Sequence, residues 1–182
     1  MMTTIRRPIN PSAHRCAFTG YRPAKMPFGY DENCPLALDF KKRLYNTIEM
    51  LIQIGYGHFI SGGAMGMDIM AAEMVLELRK AHPEITLEMA IPFEGQADRW
   101  DAAYRARWQR CVDEADVVTV LSREYTKGCM FARNRYMVEQ AELLVAGFDG
   151  KNGGTKMTVE MAQRMRKRVC MVRPGVVKDR VA

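Results

Sequence analysis

The stretch HFISGGAMGMDIMAAEMVLELRKAHPEITLEMAIP, residues 58–92, holds one complete structural unit. His58-Phe59-Ile60-Ser61 is a short apolar run of strand character, and Gly62 and Gly63 end it. Residues 65–80 then carry apolar side chains at helical spacing, with Ala71 and Ala72 small enough for close packing on a sheet. A second strand-like run, residues 85–91, is closed by Pro92. A strand, a glycine turn, a helix of this length and another strand make a βαβ crossover, so the two strands run parallel.

The same rhythm extends in both directions. Upstream, Cys16-Ala17-Phe18-Thr19 reads as a strand ending at Gly20, and residues 38–54 as a helix with the stripe Leu44, Ile48, Leu51 and Ile52. Downstream, helices over 98–112, 131–141 and 155–167 alternate with strands over 117–121, 143–146 and 169–172. Six strands and five helices predict an α/β fold: a Rossmann-like, doubly wound, mainly parallel sheet flanked by helices. The 182 residues read as a single domain, with 1–12 and 175–182 as loose ends. Residues 22–34, rich in Pro and Gly, read as a long ordered loop or lid.

Hydrophobic residues make up 48% and charged residues 26%, which excludes an intrinsically disordered chain. No apolar run approaches the roughly 18 to 20 residues of a membrane span. Residues 1–12 hold Arg6 and Arg7 but no apolar core of a signal peptide, so a cytoplasmic location with no membrane partner is expected. Five cysteines without a CxxC pair, and three histidines without HExxH, predict reduced thiols, no metal site and no cofactor. The methionines at helical spacing, Met65, Met67, Met70 and Met74, read as core filler. A net charge of +6 suits a partner carrying phosphate without choosing between nucleotide and nucleic acid.

In folds of this kind ligands bind beyond the carboxyl ends of the strands. The candidate residues there are Gly20, Tyr21 and Arg22; Ser61, Gly62, Gly63, Ala64, Gly66 and Asp68; Pro92, Phe93, Glu94 and Gln96; Ser122; and Gly153, Gly154 and Thr155. SGGAMG can bring backbone N–H groups to an anion at a helix N-terminus, and the Gly153-Gly154-Thr155 turn offers the same, with Thr155 as an N-cap or phosphate donor. Two such turns in one sheet point to a phosphate-bearing ligand. Neither has the spacing GxGxxG or GxxxxGK[ST], which disfavours a dinucleotide dehydrogenase or a P-loop enzyme. Arg133, early in its helix, suits a phosphate or carboxylate, whereas Arg135 reads as a surface residue. Trp100 suits stacking on a base or core packing, and Asp68 suits capping of amides or binding of ribose hydroxyls. Glu94 is the best-placed acid for base chemistry.

Taken in order, GYRP, SGGAMGMDIMAAE, IPFEGQADRW, RNRYM and NGGT resemble the YpsA-like branch of the SMF/DprA–LOG (SLOG) superfamily, from Ala17 to Val172. The resemblance implies a Rossmann-like fold, a pocket for nucleotides or nucleotide-derived sugars such as ADP-ribose, and a homodimer. The LOG relatives are phosphoribohydrolases that cleave the N-glycosidic bond of nucleoside 5′-monophosphates. Their MxxRKxxM pattern is matched by Met130, Arg133 and Met137, with Asn134 in the lysine's place. Their PGGxGTxEE loop is met only by Gly153, Gly154 and Thr155, and Met157 and Thr158 stand where the glutamates would be. A hydrolase here would have to use Arg133 with Glu94 as a substitute acid. The DprA relatives, which load recombinase onto single-stranded DNA, make nucleic acid a further but disfavoured partner, because aromatics interleaved with basic residues are not evident. The resulting expectation is a nucleotide or nucleotide-sugar binder or sensor.

Overall fold

The computed structural model describes residues 1–175. Seven strands, β1 (Met2–Ile5), β2 (His14–Gly20), β3 (Tyr56–Ser61), β4 (Thr86–Ile91), β5 (Val117–Val120), β6 (Leu143–Gly147) and β7 (Arg168–Met171), form one sheet in the order β1-β5-β4-β3-β2-β6-β7. Five helices connect them: α1 (Pro35–Gln53), α2 (Met67–Leu78), α3 (Ala102–Glu114), α4 (Cys129–Gln140) and α5 (Gly154–Arg164). All pairings are parallel except that of β1 with β5. The fold is the Rossmann-like α/β sheet that the alternation of strands and helices implied, with one strand more than expected.

That extra strand is β1, in the segment read as a loose end. Its four residues are all exposed, so no buried face marks it in the sequence. It is held instead by pairing to the edge of β5, Met2 opposite Val120 through Ile5 opposite Val117. Arg6 and Arg7 fasten it: the Arg6 amide donates to the Asp116 carbonyl at 2.8 Å, and Arg7 Nε lies 2.9 Å from Asp116 Oδ1. At the other end, only Gly175 of the expected loose segment 175–182 falls within the described residues.

The chain steps outward from β2 through β3 and β4 to β5. Then α4 carries it back across the sheet to β6, on the other side of β2. The switch point therefore lies between β2 and β6, whose carboxyl ends are Gly20 and Gly147. Helices α1, α2 and α3 pack together on one face, α4 and α5 on the other. Alternation along the strands serves both layers: Phe59 and Met89 point to the first, while His58, Glu88 and Thr119 point to the second. There Tyr136 of α4 donates to Glu88 Oε1 at 2.7 Å, and His58 bridges Thr86 and Glu88 at 2.9 and 3.0 Å, so these buried polar groups are paired.

Residues 22–34 are ordered, as expected. They contain a 3₁₀ turn, Pro23–Lys25, and bury Met26 and Phe28 in the core. The loop is tied down at Glu32, which receives Arg107 of α3 at 2.7 Å and Lys41 of α1 at 2.9 Å. These charge contacts hold Glu32's carboxyl below its ordinary range despite burial, which alone would raise it.

Candidate functional site

A cavity of about 320 Å³ opens at the switch point, the size range of a small-molecule site. Its walls come from the carboxyl end of β2 (Thr19, Gly20), from the loop that follows (Tyr21, Arg22, Ala24, Lys25) and from the starts of α2, α4 and α5. The two glycine turns thus border one space, but in different ways.

The first turn, residues 61–66, is spent on the protein itself. The Gly63 amide donates to Ser61 Oγ at 3.2 Å, and Ser61 in turn donates to the Asp68 carbonyl at 2.8 Å. The Ala64 amide donates to Asp68 Oδ2 at 3.3 Å, and the Met67 amide to the Tyr21 carbonyl at 3.3 Å. Gly63 has φ +61°, and a Cβ there would lie 2.8 Å from Met89 and 3.0 Å from the Trp108 indole. Its glycine serves backbone conformation and packing. Only Ala64 of this turn lines the cavity, so the expected anion cradle is turned away from it, with the Gly63 and Ala64 amides taken by the protein's own acceptors.

The second turn is open. Gly153, with φ +149°, caps α5 without a side-chain hydrogen bond, and no acidic residue stands in the first turn of the helix. Among the described residues, no acceptor meets the amides of Gly154, Thr155 or Lys156. A Cβ on Gly154 would touch nothing within 4 Å, and Gly153, Gly154 and Thr155 all line the cavity. Lys25 Nζ lies beside Gly153 and donates to the Asn152 carbonyl at 3.3 Å. Thr155 is not the N-cap expected; its hydroxyl donates across the switch point to the Gly20 carbonyl at 3.0 Å. Tyr21 adds a second tie, its hydroxyl donating to Asp149 just beyond β6.

On the α2–α4 side the cavity is bounded by Asp68 and Arg133, which are 6% and 4% exposed. Arg133 Nη1 donates to the Gly62 carbonyl, and Nε donates to Asn134 Oδ1 at 2.7 Å. Asp68 Oδ2 is 3.8 Å from Nη1, a charge contact rather than a hydrogen bond. Burial pushes the Asp68 carboxyl above its ordinary value, with Arg133 acting against the rise. Burial likewise lowers the Arg133 guanidinium, opposed by Asp68, yet an arginine stays protonated. Gly62 makes room for this pair, because a Cβ there would overlap the Arg133 guanidinium and lie 2.8 Å from Asp68 Oδ2. Asn134 Nδ2 donates to Thr158 at 2.9 Å, linking α4 to α5.

The structure thus gathers Gly20, Tyr21, Arg22, Ala64, Asp68, Arg133, Asn134, Gly153, Gly154 and Thr155 around one cavity. Ser61, Gly62, Gly63 and Gly66 stand behind its wall. Gly66, at φ +91°, lets α2 approach the Tyr21 backbone, where a Cβ would come within 2.5 Å of the carbonyl. Pro92, Phe93, Glu94, Gln96, Trp100 and Ser122 do not line it. Phe93 meets Tyr125 edge to face at 5.4 Å, and Trp100 meets Trp108 at 6.4 Å. Gln96 donates to the Gly62 carbonyl at 3.2 Å, Ser122 donates to the Glu124 carbonyl at 2.8 Å, and Glu94 is exposed. Arg135 is on the surface, as expected, paired with Glu139 at 2.7 Å. Thr19, Ala24 and Lys25 line the cavity although the sequence did not mark them as site residues, and Met130, marked only through the MxxRKxxM pattern, lines it too. A lysine two residues after Pro23 in the loop beyond β2 was the signal available. No group of three or more His, Cys, Asp or Glu side chains converges as a metal site among the described residues.

The chain matches the YspA SLOG family over residues 16–173 and belongs to that family. It is 32% identical over 143 residues to the SPbeta prophage-derived protein YoqJ of Bacillus subtilis, covering 71% of this chain and 84% of YoqJ. It is 30% identical over 142 residues to a UPF0398 protein of Bacillus pumilus, covering 76% of this chain and 75% of the relative. Among solved structures it resembles DNA processing protein A of Streptococcus pneumoniae, with a TM-score of 0.64 and 18% identity over 92% of this chain. It also resembles DNA processing protein A of Helicobacter pylori, whose structure concerns single-stranded DNA binding, with a TM-score of 0.61 and 18% identity over 88% of this chain. This chain spans 52% and 65% of those two chains, and at such identity the likeness is one of fold. Among the described residues no helix is long and apolar enough to cross a membrane.

Proposed function

We propose that this protein binds a nucleotide or a nucleotide-derived sugar of the ADP-ribose kind in the switch-point cavity, as a binder or sensor. The observation that carries this reading is the open N-terminus of α5, with three amides lacking acceptors among the described residues and Lys25 alongside. Amides aimed at one point, the positive end of the helix dipole and an ammonium group together suit a phosphate. Calorimetry with AMP, ADP-ribose and NAD tests it, beside native mass spectrometry of freshly purified protein for a retained nucleotide. Binding of at least one of the three, abolished when the α5 turn is blocked, is the expected result. Failure of all three to bind overturns the reading.

A hydrolytic reading, cleavage of the N-glycosidic bond of a nucleoside monophosphate, is supported by one specific feature. A carboxyl raised by burial, Asp68, lines the same cavity 3.8 Å from Arg133, whereas Glu94 lies outside it. Chromatography of AMP, GMP, CMP and UMP after long incubation decides between binder and hydrolase. No release of free base is expected of the binder. Rapid release, lost in Asp68→Asn and retained in Glu94→Gln, would make the protein an enzyme.

A further inference from the structure

Asp68 and Arg133 are charged, more than nine-tenths buried and only partly satisfied. Asp68 Oδ2 accepts the Ala64 amide, while Oδ1 has no donor among the described residues. Arg133 uses Nε and Nη1 on Asn134 and Gly62, while Nη2 has no acceptor among them. Neither atom is among the sealed, unpartnered ones, which are Tyr56 Oη, Gln96 Oε1 and Trp108 Nε1, so both keep some access, and the two residues line the cavity. A ligand seated between these two residues satisfies both by offering a donor to the carboxylate and an acceptor to the guanidinium.

A phosphate fits this position poorly. It has acceptors for Arg133, but its charge would face the Asp68 carboxylate, which already offsets the guanidinium from 3.8 Å. Neighbouring hydroxyls fit well, because each is both donor and acceptor, and those of a cis-diol lie within hydrogen-bonding distance of one another. One hydroxyl donates to Asp68 Oδ1 while the other accepts from Arg133 Nη2. Carboxylates take ribose hydroxyls in this way in other Rossmann-type sheets.

We propose that Asp68 and Arg133 form a ribose-diol site, which makes the cavity selective for ribonucleotides over deoxyribonucleotides. This rests on the reading that a phosphate sits at α5, and it gives the ligand a direction: phosphate at the second glycine turn, sugar against Asp68 and Arg133. Arg133 thereby becomes a sugar contact rather than a phosphate anchor.

The test is calorimetry of wild type and Asp68→Asn with AMP, 2′-deoxy-AMP, 3′-deoxy-AMP and ribose 5-phosphate. Wild type is expected to bind both deoxy forms roughly 10- to 100-fold more weakly than AMP, the range for losing a hydrogen bond to a charged group. Asp68→Asn is expected to lose that preference and to weaken ribose 5-phosphate along with AMP. Equal binding of AMP and both deoxy forms by wild type overturns the diol site and leaves the phosphate reading standing. Loss of AMP binding in Asp68→Asn with ribose 5-phosphate unaffected assigns Asp68 to the base edge and also overturns it. If neither AMP nor ribose 5-phosphate binds wild type, the diol site is overturned, and the phosphate reading falls with it only if ADP-ribose and NAD also fail to bind. The wild-type comparison needs no variant, so poor folding of Asp68→Asn does not blunt it.

Discussion

The two glycine turns look alike in sequence, each following a strand and opening a helix, yet only the second presents its whole length to the cavity. At the first turn the amides of Gly63, Ala64 and Met67 are met by Ser61, Asp68 and the Tyr21 carbonyl, and of residues 61–66 only Ala64 lines the cavity. At residues 153–155 nothing among the described residues meets the free amides. A glycine-rich turn is an anion site only where its amides are left without internal acceptors. The first turn uses its glycines to admit Arg133, Met89 and the β2 loop at close range; the second uses them to stay bare.

The contrast breaks most visibly if both turns are given the same substitution. Gly63→Val places a branched side chain at φ +61° against Met89 and Trp108. Left-handed strain and overpacking together cost on the order of 3 kcal/mol, which lowers the melting temperature by roughly 6 to 12 °C for a chain of this size. A turn that served only as an anion cradle would instead lose binding and spare the fold. Gly154→Val meets open space, so its stability should stay within about 1 kcal/mol of wild type. Its side chain covers the amides, however, and AMP affinity should fall at least roughly tenfold. Thermal denaturation and calorimetry on both variants check the pair. A stable Gly63→Val that no longer binds AMP, beside a Gly154→Val that binds normally, would reverse the assignment.

Much of the fold was legible because burial imposes periodicity. The stripe Leu44, Ile48, Leu51 and Ile52 is buried as read, and the five strands with buried residues, β2 to β6, were marked together with the edge strand β7, whose Val169 and Cys170 are half-buried. β1 escaped because pairing at a sheet edge needs no apolar pattern. The cavity was legible in its glycines, Asp68 and Arg133, because helix starts beyond parallel strands converge there. Which turn stays open was harder to read. The signs existed: Ser61 two residues before Gly63 and Asp68 four after Ala64 are local acceptors, whereas Asp149 ahead of the second turn is taken by Tyr21 and Lys151. Lys25 escaped because it reaches Gly153 only through tertiary structure.

A finer test of the open turn uses that lysine. Lys25 is exposed, so its attraction for a phosphate is screened and worth about 0.5 to 1 kcal/mol. Lys25→Ala should weaken AMP binding by roughly two- to fivefold and reduce its dependence on salt between about 10 and 150 mM. Calorimetry at both ionic strengths reads this. An unchanged salt dependence would remove Lys25 from the phosphate site while leaving the amides in it.

The smallest expected effect belongs to Tyr21, which ties the start of α2 to the loop before α5. Its carbonyl caps the start of α2, and its hydroxyl holds Asp149, four residues before Gly153. The Asp149 carboxyl is held down to about 2, first by its hydrogen bond from Lys151 and second by that from Tyr21. A carboxyl lowered on folding stabilises the protein above its ordinary pKa of 3.8, and this contribution is lost as pH falls from there toward about 2. Tyr21→Phe removes the hydroxyl and spares the carbonyl, so α2 stays capped while the loop before α5 loses one tie. Melting temperatures of the two proteins, measured from pH 7 down to pH 2, should differ slightly at neutral pH and converge as the acid window is crossed. AMP affinity should change by no more than about twofold, because the α5 amides themselves are untouched. Curves that stay parallel through that window would show that Tyr21 does not stabilise the Asp149 carboxylate, leaving Lys151 to hold it alone.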